Sequence, residues 1–483
     1  MSQTKKNIFT ILALSPLTVV VNIIFTPIII NLFGISNYGI FSLMINLLAF
    51  SGLLNLGLGI ASTRDISKIS YDNNKSINNI INTNLFTTFF VAVFFSLILF
   101  FSFNFLIENI YSFDEKDKQL VFSLKFLISI TIFLRIMIVS FRSYLIGMNK
   151  LNIAKINEIF LSIGSLIATY FCLSFGYYIS DVFLIRLLPL FLYLFFVFFY
   201  LNKKTSFVST INNFNYNNGI NQLRYGLKSF ININSPYIRE IPLLLIGVFL
   251  SPFSVAIYTP FKMLINAVYL LVVNLNENLF PIVGAKSFKN KNDKINFFDS
   301  IFYNIIFYSF IFHIVFILFA KTIIDLWLGN TFSSQILVLY ILSIGSFSYS
   351  ISSALFYFSQ GLSKPEVGRN FGIYLFITNM LLSIMFIPRF DIVGASISFS
   401  LSIFLIVVMM LVYFNNYILH DMLHYQSFKR IIFFVIHCLL IAGSIFLLNF
   451  YDNSYLAIMF ITLIYFLIFM NKTNFSIKFI SWK

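Results

Sequence analysis

The chain has 483 residues, of which 59% are apolar and 10% charged, and its mean hydropathy is +0.90. No water-soluble domain tolerates that surface, and a formal charge of +15 spread over short loops does not make a nucleic-acid interface. The composition is that of an all-α polytopic membrane protein, sufficient for about fourteen helices at ~20 residues per crossing.

In chain order the apolar runs fall at 8–33, 39–62, 80–107, 121–147, 155–176 and 181–202, then at 223–250, 254–283, 299–326, 333–360, 366–388 and 392–416. Two more lie at 429–449 and 453–471. The first run is too long for a signal-peptide core and no small-residue cleavage site follows it, so it is expected to remain as a helix. If Lys5 and Lys6 are cytoplasmic, the same side collects Arg64, Lys68, Lys75, Lys150, Lys155, Lys203, Lys204, Lys286, Lys289, Lys291, Lys294, Lys364, Arg369, Lys429, Arg430, Lys472, Lys478 and Lys483. That is twenty bases against Lys116, Lys118 and Arg389 opposite. The positive-inside rule then predicts a multi-pass protein of the cytoplasmic (inner) membrane with both termini cytoplasmic. Cys172 and Cys438 fall inside spans, where neither a disulfide nor a metal site is expected, and His313 and His437 read as packed intramembrane side chains.

One connector is written twice. "GMNKLNIAK" (Gly147–Lys155) and "GLSKPEVGR" (Gly361–Arg369) stand 214 residues apart. "LIEN" at 106–109 has an echo in "IIDL" at 323–326, 217 residues on, and the same shift carries Ser15, Thr18 and Asn22 onto Asn232, Ser235 and Arg239. Both triplets are polar and share one helix face. Spans 1–6 and 7–12 therefore read as two copies of one unit, related by an axis along the membrane normal, with a substrate path at their interface. The expected organisation is an N-terminal six-helix lobe (1–202), a cytoplasmic linker (203–222), a C-terminal six-helix lobe (223–418) and two extra helices with a cytoplasmic tail (419–483).

Polar stripes nominate the lining of that path. Lys228, Asn232, Ser235 and Arg239 form one line in span 7, and Pro16, Pro27, Pro236 and Pro242 are expected to bend spans 1 and 7. Arg135 and Arg142 in span 4, Arg186 in span 6, Arg239 and Lys262 lie deep, each at ~2.5–3.5 kcal/mol for a helix centre, which implies a wet or counter-charged interior. The candidate cavity set is Arg135, Arg142, Arg239, Lys262, Asn22, Asn232 and Ser235, with Glu240 and Glu277 as candidates for ion coupling. Competing roles are snorkelling for Lys125, Arg142 and Arg186 and pairing with Glu240, Glu277 or Glu158 for others. Under the 214 shift Arg135 and Arg142 meet Tyr349 and Phe356, so the charge is not a repeat feature.

The stretches "FGISNYGIFSL" (33–43), "GLGIASTRDIS" (57–67), "DLWLG" (325–329) and "PRFDIVGASIS" (388–398) resemble bacterial polysaccharide exporters. More narrowly, the chain is similar to lipid-linked oligosaccharide flippases of the O-antigen or capsule type, in the superfamily that also holds multidrug exporters and peptidoglycan-precursor flippases. The resemblance implies a two-lobed helical bundle with an electropositive cavity, working by alternating access on an undecaprenyl-pyrophosphate-linked oligosaccharide. It implies as partners the membrane lipids and the polysaccharide polymerase and chain-length machinery. No nucleotide is implied, since no Gly-rich phosphate loop followed by Lys and Ser or Thr is present, and neither a cofactor nor an enzymatic activity is expected. The rival readings are a multidrug exporter or a peptidoglycan-precursor flippase of the same fold, and, less favoured, a membrane-embedded glycan polymerase or transferase, which would be expected to carry a larger external loop than 108–119.

Overall fold

The computed structural model describes residues 3–49, 51–69, 74–205, 214–233, 240–286, 288, 290–419 and 424–450. The run at 453–471 and the stripe residues Ser235 and Arg239 lie outside them. Among the described residues every regular element is helical. Nine segments among the described residues are long and apolar enough to cross a membrane, and the last of them, Glu366–Ile418, is 53 residues long.

Span 1 is α1 (Gln3–Phe33), and the assignment continues through Pro27. Gly34, at φ 77°, turns the chain directly into α2 (Ile35–Ala49), a left-handed conformation that glycine adopts without a Cβ penalty. Span 2 continues as α3 (Ser51–Leu54) and α4 (Leu58–Ser67), and is interrupted between them by Leu56 and Gly57, both at positive φ. Then follow α5 (Asn74–Asn109), the short external α6 (Glu115–Ser123), α7 (Lys125–Gly147), α8 (Leu151–Ser174), and α9 (Ile179–Ile185) with α10 (Leu187–Thr205).

Span 7 is described in two parts, the polar helix α11 (Tyr216–Ile233) and the apolar α12 (Ile241–Phe249), and Pro242 sits in the first turn of the second, where a missing N–H is harmless. Span 8 is α13 (Pro252–Asn276) with α14 (Leu279–Ala285) after a two-residue interruption. The remaining helices are α15 (Lys291–Trp327), the one-turn α16 (Asn330–Ser333), α17 (Ile336–Gly361), α18 (Glu366–Tyr413), a π-turn at Phe414–Ile418 and α19 (His424–Phe450). Within α18, Phe390 and Asp391 leave helical geometry, Asp391 at φ 50°, so its 48 residues are two spans that meet where the hydropathy pattern separates 366–388 from 392–416.

Packing divides the described residues into two compact units, one within Met1–Met263 and Gly372–Ala395, the other within Leu264–Phe371 and Ser396–Lys483. Each unit contains the same device. In the first, the Asn55 amide bridges the interruption of span 2 to span 4, donating to the Ile136 carbonyl (3.4 Å) and the Ser140 hydroxyl (3.2 Å). In the second, the Asn276 amide, at the interruption of span 8, donates to the Ser350 carbonyl (2.9 Å) and the Ser353 hydroxyl (2.7 Å). Residues 136 and 350 differ by 214, the spacing of the repeated connector.

The connector itself has one backbone written twice. Asn149 and Ser363 are left-handed at φ 55° and 59°. The Lys150 amide returns to the Leu145 carbonyl (2.8 Å) and Asn149 to Ile146 (2.9 Å), just as Lys364 returns to Ser359 (2.9 Å) and Ser363 to Gln360 (2.9 Å). These are Schellman caps. The glycine before each cap is needed for a different reason, because a Cβ on Gly147 would lie 2.9 Å from the Ile66 Cβ, and one on Gly361 would lie 2.6 Å from the Val283 Cβ. The helix that ends span 2 or span 8 crosses there with no room for a side chain.

Among its described residues the second unit holds one fully buried charge. Arg430 on α19 forks onto Asp299 (Nε 2.6 Å, Nη2 3.1 Å) and gives Nη1 to Asn415 (2.5 Å). Counted among the cytoplasmic bases from sequence, Arg430 is 0% exposed and lies beside Phe298. His313 is satisfied inside the same unit, donating from Nδ1 to the Ser309 carbonyl (2.7 Å) and accepting at Nε2 from Ser346 (2.9 Å). Cys172 and Cys438 are both free and buried.

Candidate functional site

A cavity of about 360 Å³ opens inside the first unit. α7 contributes Thr131, Arg135 and Ile138, and α8 contributes Glu158, Ser162 and Ser165, each set at helical spacing on one face. Asn22 of α1, Ser51 and Gly52 of α3, and Arg186 at the joint of α9 and α10 complete the polar wall. Two guanidiniums therefore share this space with one carboxylate.

Arg186 is held in place before any ligand arrives. Its Nη1 donates to the Thr169 hydroxyl (2.8 Å) and the Ser165 carbonyl (3.4 Å), and its guanidinium lies 5.3 Å from the Phe41 ring centre. It is close enough to Arg135 for the two charges to act on each other. Glu158 is already shared, forming ion pairs with Arg142 and with Lys155, the latter at 3.2 Å. The cavity and its rim thus hold four bases, Arg135, Arg186, Arg142 and Lys155, and one acid, Glu158, an excess of positive charge.

The sequence-nominated residues separate into three groups. Arg135 and Asn22 line the cavity, and Arg142 stands at its rim through Glu158. The Asn22 amide also donates to its own helix at Thr18 (2.6 Å). Lys262 is buried and forms an ion pair with Glu240 elsewhere in the first unit. Glu277 is exposed in the second unit and accepts a hydrogen bond from the Tyr357 hydroxyl (3.1 Å). Asn232 closes α11 with no described side chain, while Ser235 and Arg239 fall outside the described residues. Among the described residues there is no cluster of His, Cys, Asp and Glu fit to hold a metal.

Arg186 is the cavity residue that spacing arguments undervalue. Read alone it is a base near a helix end, with snorkelling as the ordinary explanation. Its meaning comes from Arg135 and Thr169 on other helices, and no periodicity within one span can report such a meeting.

No protein-family model and no curated protein matches the sequence. Solved structures do share the fold. A multidrug resistance MATE family transporter of the MOP superfamily, in an inward-facing conformation, aligns at a TM-score of 0.70 and 15% identity over 83% of this chain and 95% of its own. The lipid II flippase MurJ, in an inward closed conformation, also aligns at 0.70 and 15% identity, over 96% of this chain and 98% of its own. A MOP superfamily transporter from Pyrococcus furiosus, described by the reversed polarity of its binding pocket, aligns at 0.56 and 14% identity over 84% and 94%. The fold is thus that of MOP-superfamily transporters, and the chain is a multi-pass membrane protein.

Proposed function

We propose that the protein is a flippase that moves an undecaprenyl-pyrophosphate-linked oligosaccharide, an O-antigen or capsule repeat unit, across the cytoplasmic membrane by alternating access. The observation that carries this reading is the cavity bounded by Arg135 and Arg186, in which the one lining carboxylate, Glu158, is occupied by Arg142 and Lys155. A pyrophosphate offers several anionic oxygens to two guanidiniums, each able to donate two parallel charge-assisted hydrogen bonds. A volume of about 360 Å³ sits at the small end of ligand sites and suits the charged head of the lipid, not a whole oligosaccharide. Sugar hydroxyls near the head would meet Asn22, Ser51 and Ser162, and the polyprenyl tail would remain in lipid.

A cationic drug would find the wrong sign in this cavity, which weighs against a multidrug exporter. A peptidoglycan-precursor flippase is the reading that stands second, and one observation favours it: the MurJ likeness extends over 96% of this chain where the MATE likeness extends over 83%. Both substrates carry the same pyrophosphate, so the cavity serves either.

The deciding experiment is deletion in the native host with the two lipid intermediates followed separately. Loss of the protein is expected to leave completed lipid-linked oligosaccharide on the cytoplasmic leaflet while peptidoglycan synthesis continues. Arrest of peptidoglycan synthesis would replace this reading by the second one, and loss of the intermediate itself with intact glycosyltransferases would favour an enzyme.

A further inference from the structure

In the first unit α10 packs against both α7 and α8, and its buried face runs Leu190, Tyr193, Val197 and Leu201 at intervals of three, four and four. Tyr193 is 2% exposed, and its hydroxyl has no hydrogen-bond partner among the described residues. A buried donor left unsatisfied lowers stability, and a phenylalanine would fill the same space without that cost. The chain uses phenylalanine 65 times, five of them within 191–199 of this helix, so a tyrosine at 193 calls for a reason.

The hydroxyl is not in an apolar setting. Glu158 of α8 and Arg142 of α7 lie close enough for their charges to act on it. Glu158 lines the cavity, and so does Leu190, one turn before Tyr193 on the same face of α10. The carboxylate is divided between Arg142 and Lys155, the latter at 3.2 Å. Arg142 in turn stands seven residues after Arg135, on the face of α7 that gives Arg135 to the cavity. Glu158 thus joins the cavity wall to a third guanidinium and to a donor with nothing to bond.

An anion that enters beside Arg135 and Arg186 brings like charge against Glu158 and draws on the same cations. While Glu158 holds Arg142, that guanidinium is committed. A carboxylate that passes to Tyr193 exchanges one contact with Arg142 for a short charge-assisted O–H···O bond, gives the hydroxyl its acceptor, and releases the arginine. We propose that Glu158 and Tyr193 form a carboxylate switch: Glu158 occupies Arg142 in place of a ligand, and on entry of a phosphate-bearing ligand it turns to the Tyr193 hydroxyl, so that Arg142 joins Arg135 and Arg186 on the ligand. Tyr193 is then a positioning residue that acts through Glu158 and never touches the ligand. This rests on the reading of the cavity as an anion site.

The test is a double-mutant cycle on the affinity of the purified full chain for inorganic pyrophosphate, measured calorimetrically in detergent at fixed pH and ionic strength. Tyr193→Phe should weaken binding at least about threefold while leaving the unfolding temperature equal or higher, because the variant loses an unsatisfied hydroxyl. Glu158→Gln, which removes the competing charge, should tighten binding, and adding Tyr193→Phe to it should change nothing further. Unaltered affinity in Tyr193→Phe overturns the switch, as does an equal loss in both backgrounds, which would make the effect one of packing. Weaker binding by Glu158→Gln also overturns it, and a lower unfolding temperature in Tyr193→Phe would show that the hydroxyl is already satisfied, with the same consequence. If the parent protein binds no pyrophosphate, the anion reading falls and the switch with it; if the parent binds and Tyr193→Phe is silent, the switch alone falls.

Discussion

Asn55 and Asn276 perform one task in two places, whereas Arg135 and Tyr349, separated by the same 214 residues as the repeated connector, perform different ones. Arg135 lines a basic cavity in the first unit, and Tyr349 stacks on Tyr269 in the second with ring centres 4.5 Å apart. The fully buried charge described in the second unit, Arg430, is paired internally with Asp299. What the copies share is therefore scaffold: an interrupted second helix, an asparagine spanning the break, and a glycine where helices cross. What they do not share is the cavity charge, since Arg135 in one stands where Tyr349 stands in the other.

The largest effect should fall on the cavity. Arg135→Ala with Arg186→Ala removes two charged contacts worth about 1.5–3 kcal/mol each, enough to bring export to background. Surface glycan at matched membrane abundance is the measurement, with Tyr349→Ala as the comparison. Equal loss from Tyr349→Ala would erase the asymmetry. Arg186→Lys should recover part of the activity, since an ammonium keeps the charge and loses the planar fork.

Next comes the sealed pair. Arg430→Met should cost about 3–5 kcal/mol, because it strands Asp299, and should appear as a lower unfolding temperature in detergent. Asp299→Leu combined with Arg430→Met should restore most of the stability, and export with it. A stable double variant that fails to export would move this charge from the scaffold to the chemistry.

The asparagines should give smaller and matched effects. Asn55→Leu and Asn276→Leu are each expected to lose about 0.6–1.7 kcal/mol, with Asn55 at the upper end because its Oδ1 also accepts from the Gly59 amide (2.9 Å). Smallest of all, Ser363→Gly should gain up to about 1 kcal/mol by relieving a left-handed serine, while Asn149→Gly should change little, because asparagine tolerates that conformation. Equal thermal shifts at the two sites would show that the caps differ in more than residue type.

Among the described residues hydropathy made most spans legible, down to the boundary at Phe390 and Asp391. The four family-like stretches were legible for a reason visible in the backbone: Gly34, Gly57, Gly329 and Asp391 all have positive φ, so each stretch marks a place where the chain must turn. Arg135 and Asn22 could be nominated because an intramembrane charge and a polar stripe are informative within one helix. Glu240 was among the partners the sequence offered, but its choice of Lys262, the place of Arg186 and the burial of Arg430 depend on which helices meet, and hydropathy carries no such information. The start of α11 was hidden too, since its glycines and amides resemble an ordinary cytoplasmic linker; the range 203–222 in fact ends inside that helix.

The Arg430 fork also constrains the order in which the membrane receives this chain. An arginine entering lipid alone meets the penalty for an intramembrane charge, and one that finds a carboxylate waiting does not. Asp299 and Asn415 both precede Arg430 in the chain, so synthesis delivers the acceptors first and the base afterwards. During that interval Asp299 is the exposed party. The buried pair of the second unit is therefore complete only when α19 has docked.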